Sequence, residues 1–269
     1  MKSIITLTTD FGLSDAYVAE MKGVILGINP DVRLVDITHS IEPQNILQAA
    51  FVLNTAYIYF PLGSIHLVVV DPGVGTKRKA IILKTEGFYF VAPDNGVLSH
   101  IIEVKGILGK GKLPAGMEVF AISRSEYFRS PVSATFHGRD IFAPVAARLS
   151  LGEQPSDFGE KLGSIKVLPL AHARLRGQTV IGNIIHIDRF GNLITSVHES
   201  DLPKKCRLIK IEYKSNFIPM VRTYSQGEGL LALIGGGGYL EIAQKNGNAS
   251  ILLGAKIGDE VRLIDEGEF

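Results

Sequence analysis

The chain is 269 residues long, with 46% hydrophobic and 20% charged residues, an ordinary balance for a globular protein able to bury a sizeable core. Lys and Arg number 28 against 27 Asp and Glu, and a net charge of +1 argues against a general nucleic-acid binder. No apolar run nears the roughly 18 residues of a membrane span, the amino terminus lacks the features of a signal peptide, and the lone Cys206 can form neither an internal disulfide nor a thiolate metal cluster, so a reducing cytoplasm is expected.

Taken in order, Ile4 to Leu7 reads as a strand, followed by Thr8-Thr-Asp-Phe-Gly-Leu-Ser-Asp15. Ser14 or Asp15 is expected to cap a helix with Tyr17, Val18, Met21, Val24, Ile25 and Ile28 on its apolar face, ended by Asn29-Pro30. Val32 to Ile37 is a second strand. Ile41-Glu-Pro-Gln-Asn45 opens a second helix carrying Ile46, Ala49, Ala50, Leu53 and Ala56.

Next comes the stretch His66-Leu-Val-Val-Val-Asp-Pro-Gly-Val-Gly-Thr-Lys-Arg78. Leu67 to Val70 reads as a strand buried on both faces, stopped by Asp71-Pro72 because proline cannot extend a central ladder. Asp71 is therefore expected at the carboxyl end of a core strand, where open α/β sheets bind ligands. Ala80 to Thr85 and Phe88 to Ala92 read as a hairpin about Glu86-Gly87. Pro93-Asp-Asn-Gly96 and a short helix over Val97 to Ile102 follow.

Residues 103–130 read as irregular. A helix is expected from Asp140 or Gly138 through Leu149, which places His137 and Arg139 at an electropositive amino terminus. Pro155, Gly159, Gly163 and Pro169 mark 152–170 as a linker. Beyond it, strands are expected over 180–187, 193–197, 208–211, 230–234, 239–242, 251–253 and 260–264, a small barrel or sandwich. The fold class is thus α/β over residues 1–151, joined to a smaller all-β, barrel-like domain over 171–269. The chain has no Gly-x-Gly-x-x-Gly after its first strand and no Walker A spacing.

Five stretches together resemble one family, the S-adenosyl-L-methionine (SAM) hydrolases or SAM hydroxide adenosyltransferases, relatives of the SAM-dependent fluorinase and chlorinase. They are Thr9-Asp-Phe-Gly-Leu-Ser-Asp15 with Tyr17-Val-Ala-Glu-Met-Lys-Gly23; Val70-Asp-Pro-Gly-Val-Gly-Thr-Lys-Arg78; Thr135-Phe-His-Gly-Arg-Asp-Ile-Phe-Ala-Pro144; His186-Ile-Asp-Arg-Phe-Gly-Asn192; and Gly238-Tyr-Leu-Glu-Ile-Ala243 before Gly247-Asn-Ala249. The resemblance implies an α/β domain followed by a β-barrel, and a homotrimer with active sites between neighbouring subunits. It also implies cleavage of SAM by water to adenosine and L-methionine, without a metal or other cofactor.

The family's Asp-Arg-His set falls on Asp71, Arg78 and His137. The halogenating relatives have a tyrosine at the position of Asp71 and lack the histidine, so the resemblance implies water in preference to halide. Asp10 matches the ribose-holding aspartate, with Phe11, Asp15 and Asn95 as further substrate contacts. Adenine and methionine contacts fall on Asp188, Phe190, Asn192, Gly236 and Glu241. Many relatives have a serine at about Gly236, which puts the methionine-end contact in question.

The chemistry suits these residue types. Water attacking C5′ of a sulfonium expels a neutral thioether, so no acid need protonate the leaving group. A carboxylate within hydrogen-bond reach can orient the water and accept its proton, an effect of ~10²–10⁴-fold. Asp71 is the candidate, clamped by Arg78, with His137 completing the water site. Asp10 offers two acceptor oxygens to a ribose diol. Phe190 suits the adenine face and Asn192 its edge. Other readings stand beside these: Asp10, Ser14 and Asp15 as helix caps, Asp188 to Asn192 as a hairpin turn, Glu241 as a solvated strand residue. At the level of function the rivals are a SAM-dependent halogenase on the same scaffold and a non-catalytic SAM or adenosine sensor.

Overall fold

The computed structural model describes residues 3–102, 111–177, 179–202, 209–214 and 216–265. Cys206 lies outside them. The chain divides into two compact units, Met1–Pro169 and Leu170–Phe269.

The first unit is built on a mixed sheet. Its strands are β1 (Ile4–Thr9), β2 (Arg33–Thr38), β3 (Ile65–Val69), β4 (Ala80–Lys84), β5 (Tyr89–Pro93), β7 (Glu118–Ala121) and β8 (Lys161–Leu162), in the order β2-β1-β3-β5-β4-β7-β8. A separate ribbon pairs β6 (Gly111–Lys112) with β9 (Ser164–Ile165). β1 runs parallel to β2 and β3, and β3 parallel to β5. The hairpin partner β4 is antiparallel to β5 and to β7.

All five residues of β3 are buried because helices cover both faces. On one face Ile5, Leu7, Leu67 and Val69 pack with Met21 and Ile25 of α1 (Tyr17–Ile28) and Val145, Ala146 and Leu149 of α3 (Ala143–Ser150). On the other, Val68, Val70, Ile81 and Phe90 pack with Ala49 and Leu53 of α2 (Ile46–Ala56). Each of the larger side chains among these contributes about 1.5–3 kcal/mol by leaving water, so β3 is fixed from both sides. The α/β class read from the alternation of elements describes this unit.

Several local expectations are corrected. The N-cap position of helix α1 is Ala16, with no side-chain cap, so neither Ser14 nor Asp15 caps it. Helix α2 is capped by Asn45, whose Oδ1 accepts from Gln48 N at 3.0 Å. Residues 97–102 form hydrogen-bonded turns in place of a helix; Ser99 turns its hydroxyl onto Gly96 O at 2.6 Å, competing with helical pairing. The stretch read as irregular contains β7, whose Val119 and Phe120 are buried. The segment that follows His137 begins as a π-helical turn over Gly138–Phe142 before α3. The expected linker 152–170 belongs to the first unit as far as Pro169: β8 extends its sheet, and Phe158 and Ile165 are buried. Its glycines and prolines mark turns between these short pieces, and the apolar residues between them anchor it.

In the second unit the strands are β10 (Arg174–Arg176), β11 (Thr179–Ile187), β12 (Leu193–His198), β13 (Ile209–Tyr213), β14 (Asn216–Pro219), β15 (Leu230–Ile234), β16 (Tyr239–Gln244) and β17 (Glu260–Asp265). They form one antiparallel sheet, β14-β13-β17-β11-β12-β16-β15, with β10 on β11. A bridge between Met220 and Ala232 brings the two ends together, so the sheet is nearly closed, around Val180, Ile184, Leu193, Ile211, Leu240 and Val261. The run Ile251 to Leu253 is helical, not extended: α4 (Ala249–Leu253) is capped by Asn248, which accepts from Ile251 N at 2.9 Å, and ends on Gly254 at φ +54°.

Candidate active site

Strand register brings two carboxylates to one edge. Thr9 pairs with Val69 across parallel β1 and β3, so Asp10 and the Val70–Asp71 pair leave the sheet side by side. The β3 end is braced by Asn95, whose Nδ2 donates to Val70 O at 2.8 Å. After Asp71 the chain turns tightly, with Val74 N donating to Asp71 O and Thr76 N to Gly73 O, both at 3.1 Å. Gly75 sits at φ +75°, and a Cβ there would lie 2.7 Å from Ala134 O. This close approach sets the loop carrying Arg78 against the loop carrying His137, and only glycine permits it.

The three side chains expected to act together are brought together. Arg78 Nε lies 2.9 Å from both Asp71 oxygens, and Nη2 also bonds Oδ2. The same Nη2 is 2.8 Å from His137 Nδ1. The Arg78 and Asp71 side chains are only 6% and 5% exposed, and the guanidinium stands 5.2 Å from the Phe142 ring centroid. A buried pair of this kind fixes geometry, and removing one partner would strand the other charge. Burial first, then the Arg78 cation, pulls the His137 imidazole below its usual range, against the opposing pull of Asp71 and Asp140.

Asp71 and His137 line a cavity of about 400 Å³ with Asp10, Phe11, Tyr17, Gln44, Val74, Thr135 and Phe136. Phe11, Tyr17 and Phe136 form a mutual aromatic cluster, with Tyr17 and Phe136 edge to face at 5.3 Å. Tyr17 and Phe136 were not singled out as site residues; their signal was only that they lie within matched motifs. Asp10 Oδ2 accepts from Gln44 N at 2.8 Å. The loop after Asp10 is tied down by Gly12 N donating to His39 O at 2.8 Å and by Thr9 Oγ1 against His39 Nδ1 at 2.8 Å.

Three residues of this unit lie apart from the cavity. Asp15 is exposed and outside the cavity. Asn95 spends its amide on the backbone of Val70 and Val97, so it braces the strand end and does not line the cavity. Arg139, although beside a helix start, is taken up by Asp140 at 2.7 Å and Glu20 at 2.8 Å. Burial works to raise the fully buried Asp140 carboxyl. Its bonds to Arg139 and Ser133 N outweigh that and hold it below the usual carboxylate range.

In the second unit, Asp188 organises the loop between β11 and β12: Oδ1 accepts from Phe190 N and Asn192 N at 2.8 Å, and Oδ2 from Asn192 Nδ2 at 2.9 Å. The turn reading of this loop and its place in a polar cluster hold together. Asn192 Nδ2 lies 3.5 Å from the Tyr224 hydroxyl, which donates to Glu241 Oε2 at 3.2 Å. Burial, with the Glu241 charge, pushes Tyr224 up to about 12; burial and Asp188 raise Glu241 against the Tyr224 bond. Glu241 is therefore not a solvated strand residue. Tyr224 was missed, lying in a short turn between strands with only an aromatic in a polar loop to mark it. Phe190 is 75% exposed, and a Cβ on Gly236 would meet nothing within 4 Å.

Among the described residues no helix is long and apolar enough to cross a membrane. Nor do three His, Cys, Asp or Glu side chains among them group as a metal site requires.

Residues 5–159 match the SAM hydroxide adenosyltransferase N-terminal domain and residues 182–262 its C-terminal domain. A (R)-S-adenosyl-L-methionine hydrolase of Methanocaldococcus jannaschii is 36% identical, covering 97% of this chain and 95% of its own. One from Salinispora tropica is 36% identical over 96% and 97%. A fluorinase of Actinoplanes sp. is more distant, 26% identical over 90% of each. The crystal structure of an uncharacterized conserved protein from Thermotoga maritima superposes with a TM-score of 0.86 at 38% identity, covering 97% of this chain and 99% of that one. By both domain matches and by these full-length relatives, the chain belongs to the SAM hydroxide adenosyltransferase family.

Proposed function

We propose that this protein is an S-adenosyl-L-methionine hydrolase, cleaving the C5′–sulfur bond with water to give adenosine and L-methionine. The observation that carries this reading is the linked set Asp71, Arg78 and His137, of which Asp71 and His137 line a nucleoside-sized cavity, in a chain that shares about a third of its residues with named hydrolases along nearly its whole length. The greater distance of the fluorinase favours water over halide.

In the mechanism, Asp71 accepts a hydrogen bond from the attacking water and takes its proton as the carbon–oxygen bond forms. Arg78 locks the carboxylate in place. His137 has its Nδ1 lone pair committed to Arg78, so its proton sits on Nε2 and donates to the same water. The sulfonium accepts the electron pair of the breaking bond and leaves as a neutral thioether. Asp10 holds the ribose diol, with Phe11 beside it. Asn192 and Phe190 receive the adenine, while Asp188, Glu241 and the Gly236 backbone receive the methionine end. We further propose a homotrimer with active sites between neighbouring subunits, acting in the cytoplasm without a metal; the family resemblance and the single cysteine support this.

The test is product analysis with SAM of each sulfonium configuration, since the named hydrolases carry the (R) designation. In ¹⁸O-labelled water, adenosine carrying the label at its 5′ oxygen is expected. Formation of 5′-chloro-5′-deoxyadenosine in chloride-rich buffer, with no adenosine, would overturn the hydrolase reading in favour of a halogenase. Tight binding without turnover would make the protein a sensor.

A further inference from the structure

Gln44 holds a backbone conformation that few side chains adopt. Its φ is +66°, in the left-handed region natural to glycine and otherwise entered mainly by asparagine and aspartate. Such a conformation persists only where its surroundings over-determine it, and it gathers at ligand sites. Here the surroundings are identifiable. The first turn of α2 reaches back over the segment: Gln48 Oε1 accepts from Glu42 N at 2.7 Å, while Asn45 Oδ1 accepts from Gln48 N at 3.0 Å. Asn45 N donates to Glu42 O at 3.0 Å, and Ile46 N to Gln44 O at 3.1 Å. The segment 42–46 is thus pinned at both ends by one helix start.

The outcome of this strain is one hydrogen bond. Gln44 N–H points to Asp10 Oδ2 at 2.8 Å, and both residues line the cavity that holds Asp71 and His137. A carboxylate anchored by a single bond at its β-carbon rotates, and only some rotations present two oxygens to two neighbouring hydroxyls. An amide fixed on one oxygen selects the plane before the ligand arrives, so the ordering cost is not met on binding.

We propose that Gln44 is a positioning residue for Asp10, its strained backbone fixing the carboxylate so that the site distinguishes a ribonucleoside from its 2′-deoxy counterpart. This rests on the reading of the cavity as a nucleoside site. The side chain of Gln44 is not what matters; its N–H and its φ are.

The experiment measures adenosine and 2′-deoxyadenosine binding by calorimetry, with SAM kinetics, for the parent protein and Gln44→Val, Gln44→Gly and Gln48→Ala. Valine is branched at Cβ and averse to positive φ, so Gln44→Val is expected to weaken adenosine about tenfold, the scale of one charge-assisted hydrogen bond. The weaker 2′-deoxyadenosine affinity should change less than about twofold, and with SAM the loss should fall on KM and not on kcat. Gln44→Gly, which accepts φ +66° without penalty, should restore the discrimination although the carboxamide is gone. If Gln44→Val does not fold, Gln48→Ala releases the Glu42 anchor and should reproduce the same loss in milder form. Folded Gln44→Val or Gln48→Ala that keeps the parent's preference for adenosine overturns the proposal, as does loss of that preference in Gln44→Gly. A parent protein that binds neither adenosine nor SAM instead overturns the nucleoside reading on which the proposal stands.

Discussion

Arg78 donates through Nη2 to His137 Nδ1 at 2.8 Å, and a guanidinium has no lone pair with which to accept. The imidazole must therefore be the acceptor. That requires a neutral ring with its proton on Nε2, in agreement with the direction in which burial and Arg78 shift it. One contact thus assigns both the charge and the tautomer of the histidine.

Activity should consequently fall on the acid side. Protonating His137 places a second cation against Arg78 and removes the acceptor of their bond. Because burial and Arg78 lower its pKa, the fall in kcat should be centred below the ordinary imidazole value near 6.5. A pH–rate profile of kcat checks this, and His137→Gln, which keeps an acceptor but cannot titrate, should flatten that limb. Persistence of the limb in His137→Gln would assign it to another group.

Asp71→Asn is expected to lower kcat by about 10²–10⁴ with little change in KM, since the amide keeps the shape but cannot take a proton. It also turns a buried ion pair into a lone buried Arg78 cation. A loss of stability of about 3–5 kcal/mol should accompany it. Urea denaturation run beside the kinetics separates the two effects, because the folded fraction can be measured at the assay condition.

Gly75→Ala tests how the two loops meet. The added methyl would lie 2.7 Å from Ala134 O at a backbone angle of +75°, so the Arg78 loop must retreat from the His137 loop. The expected cost is about 1–3 kcal/mol of stability. Because the retreat stretches the Arg78–His137 bond, kcat should fall more than KM rises. Gly63→Ala, also at positive φ but with open space around it, is the control for strain alone.

Much of this arrangement was legible because it depends on local order. The apolar run through Val70 stopped by Pro72, the glycines after it, and the motif about His137 each specify a strand end or a turn, and parallel pairing of β1 with β3 then brings Asp10 beside Asp71. What escaped depends on contacts distant in sequence or on competing local signals. The three residues Ile251 to Leu253 are too few to show a period, and the flanking Asn248 and Gly254 decided for helix. β7 is a strand because β4 and β8 pair with it, not because its own sequence demands it. Tyr224 joins Glu241 across 17 positions, and no motif surrounds it. The φ of Gln44 is set by Gln48 and Asn45, residues that favour a cap wherever they occur and say nothing of the residue before it.

Stability should also depend on pH through a residue away from the site. His66 is fully buried on β3, stacked on Phe90 at 5.1 Å and edged by Tyr57 and Phe60, with Nδ1 bonded to Thr6 Oγ1 at 2.8 Å. Burial drives its pKa down to about 4, from 6.5. The folded state therefore holds it neutral while the unfolded state takes up a proton. Its contribution is fully present above 6.5, is lost as pH falls toward 4, and changes no further below that. The whole difference is about 3 kcal/mol. Thermal melts from pH 7.5 to 4 should show this slope, and His66→Phe should remove much of it. An unchanged slope in that variant would assign the dependence to other groups.

Gly236→Ser examines the methionine end. A side chain there meets no neighbour within 4 Å, so the substitution should leave stability within about 0.5 kcal/mol of the parent. The adjacent Gly235 is different: a Cβ on it would lie 1.7 Å from Glu241 Oε1, so Gly235→Ser should displace that carboxylate. If the methionine moiety is held near this turn, the new hydroxyl at 236 supplies one hydrogen bond, lowering KM for SAM about three- to tenfold with adenosine affinity unchanged. Gly235→Ser should raise KM by separating Glu241 from Tyr224. Equal KM values for both variants and the parent would place the methionine end elsewhere, whereas a drop in adenosine affinity would place the nucleoside there.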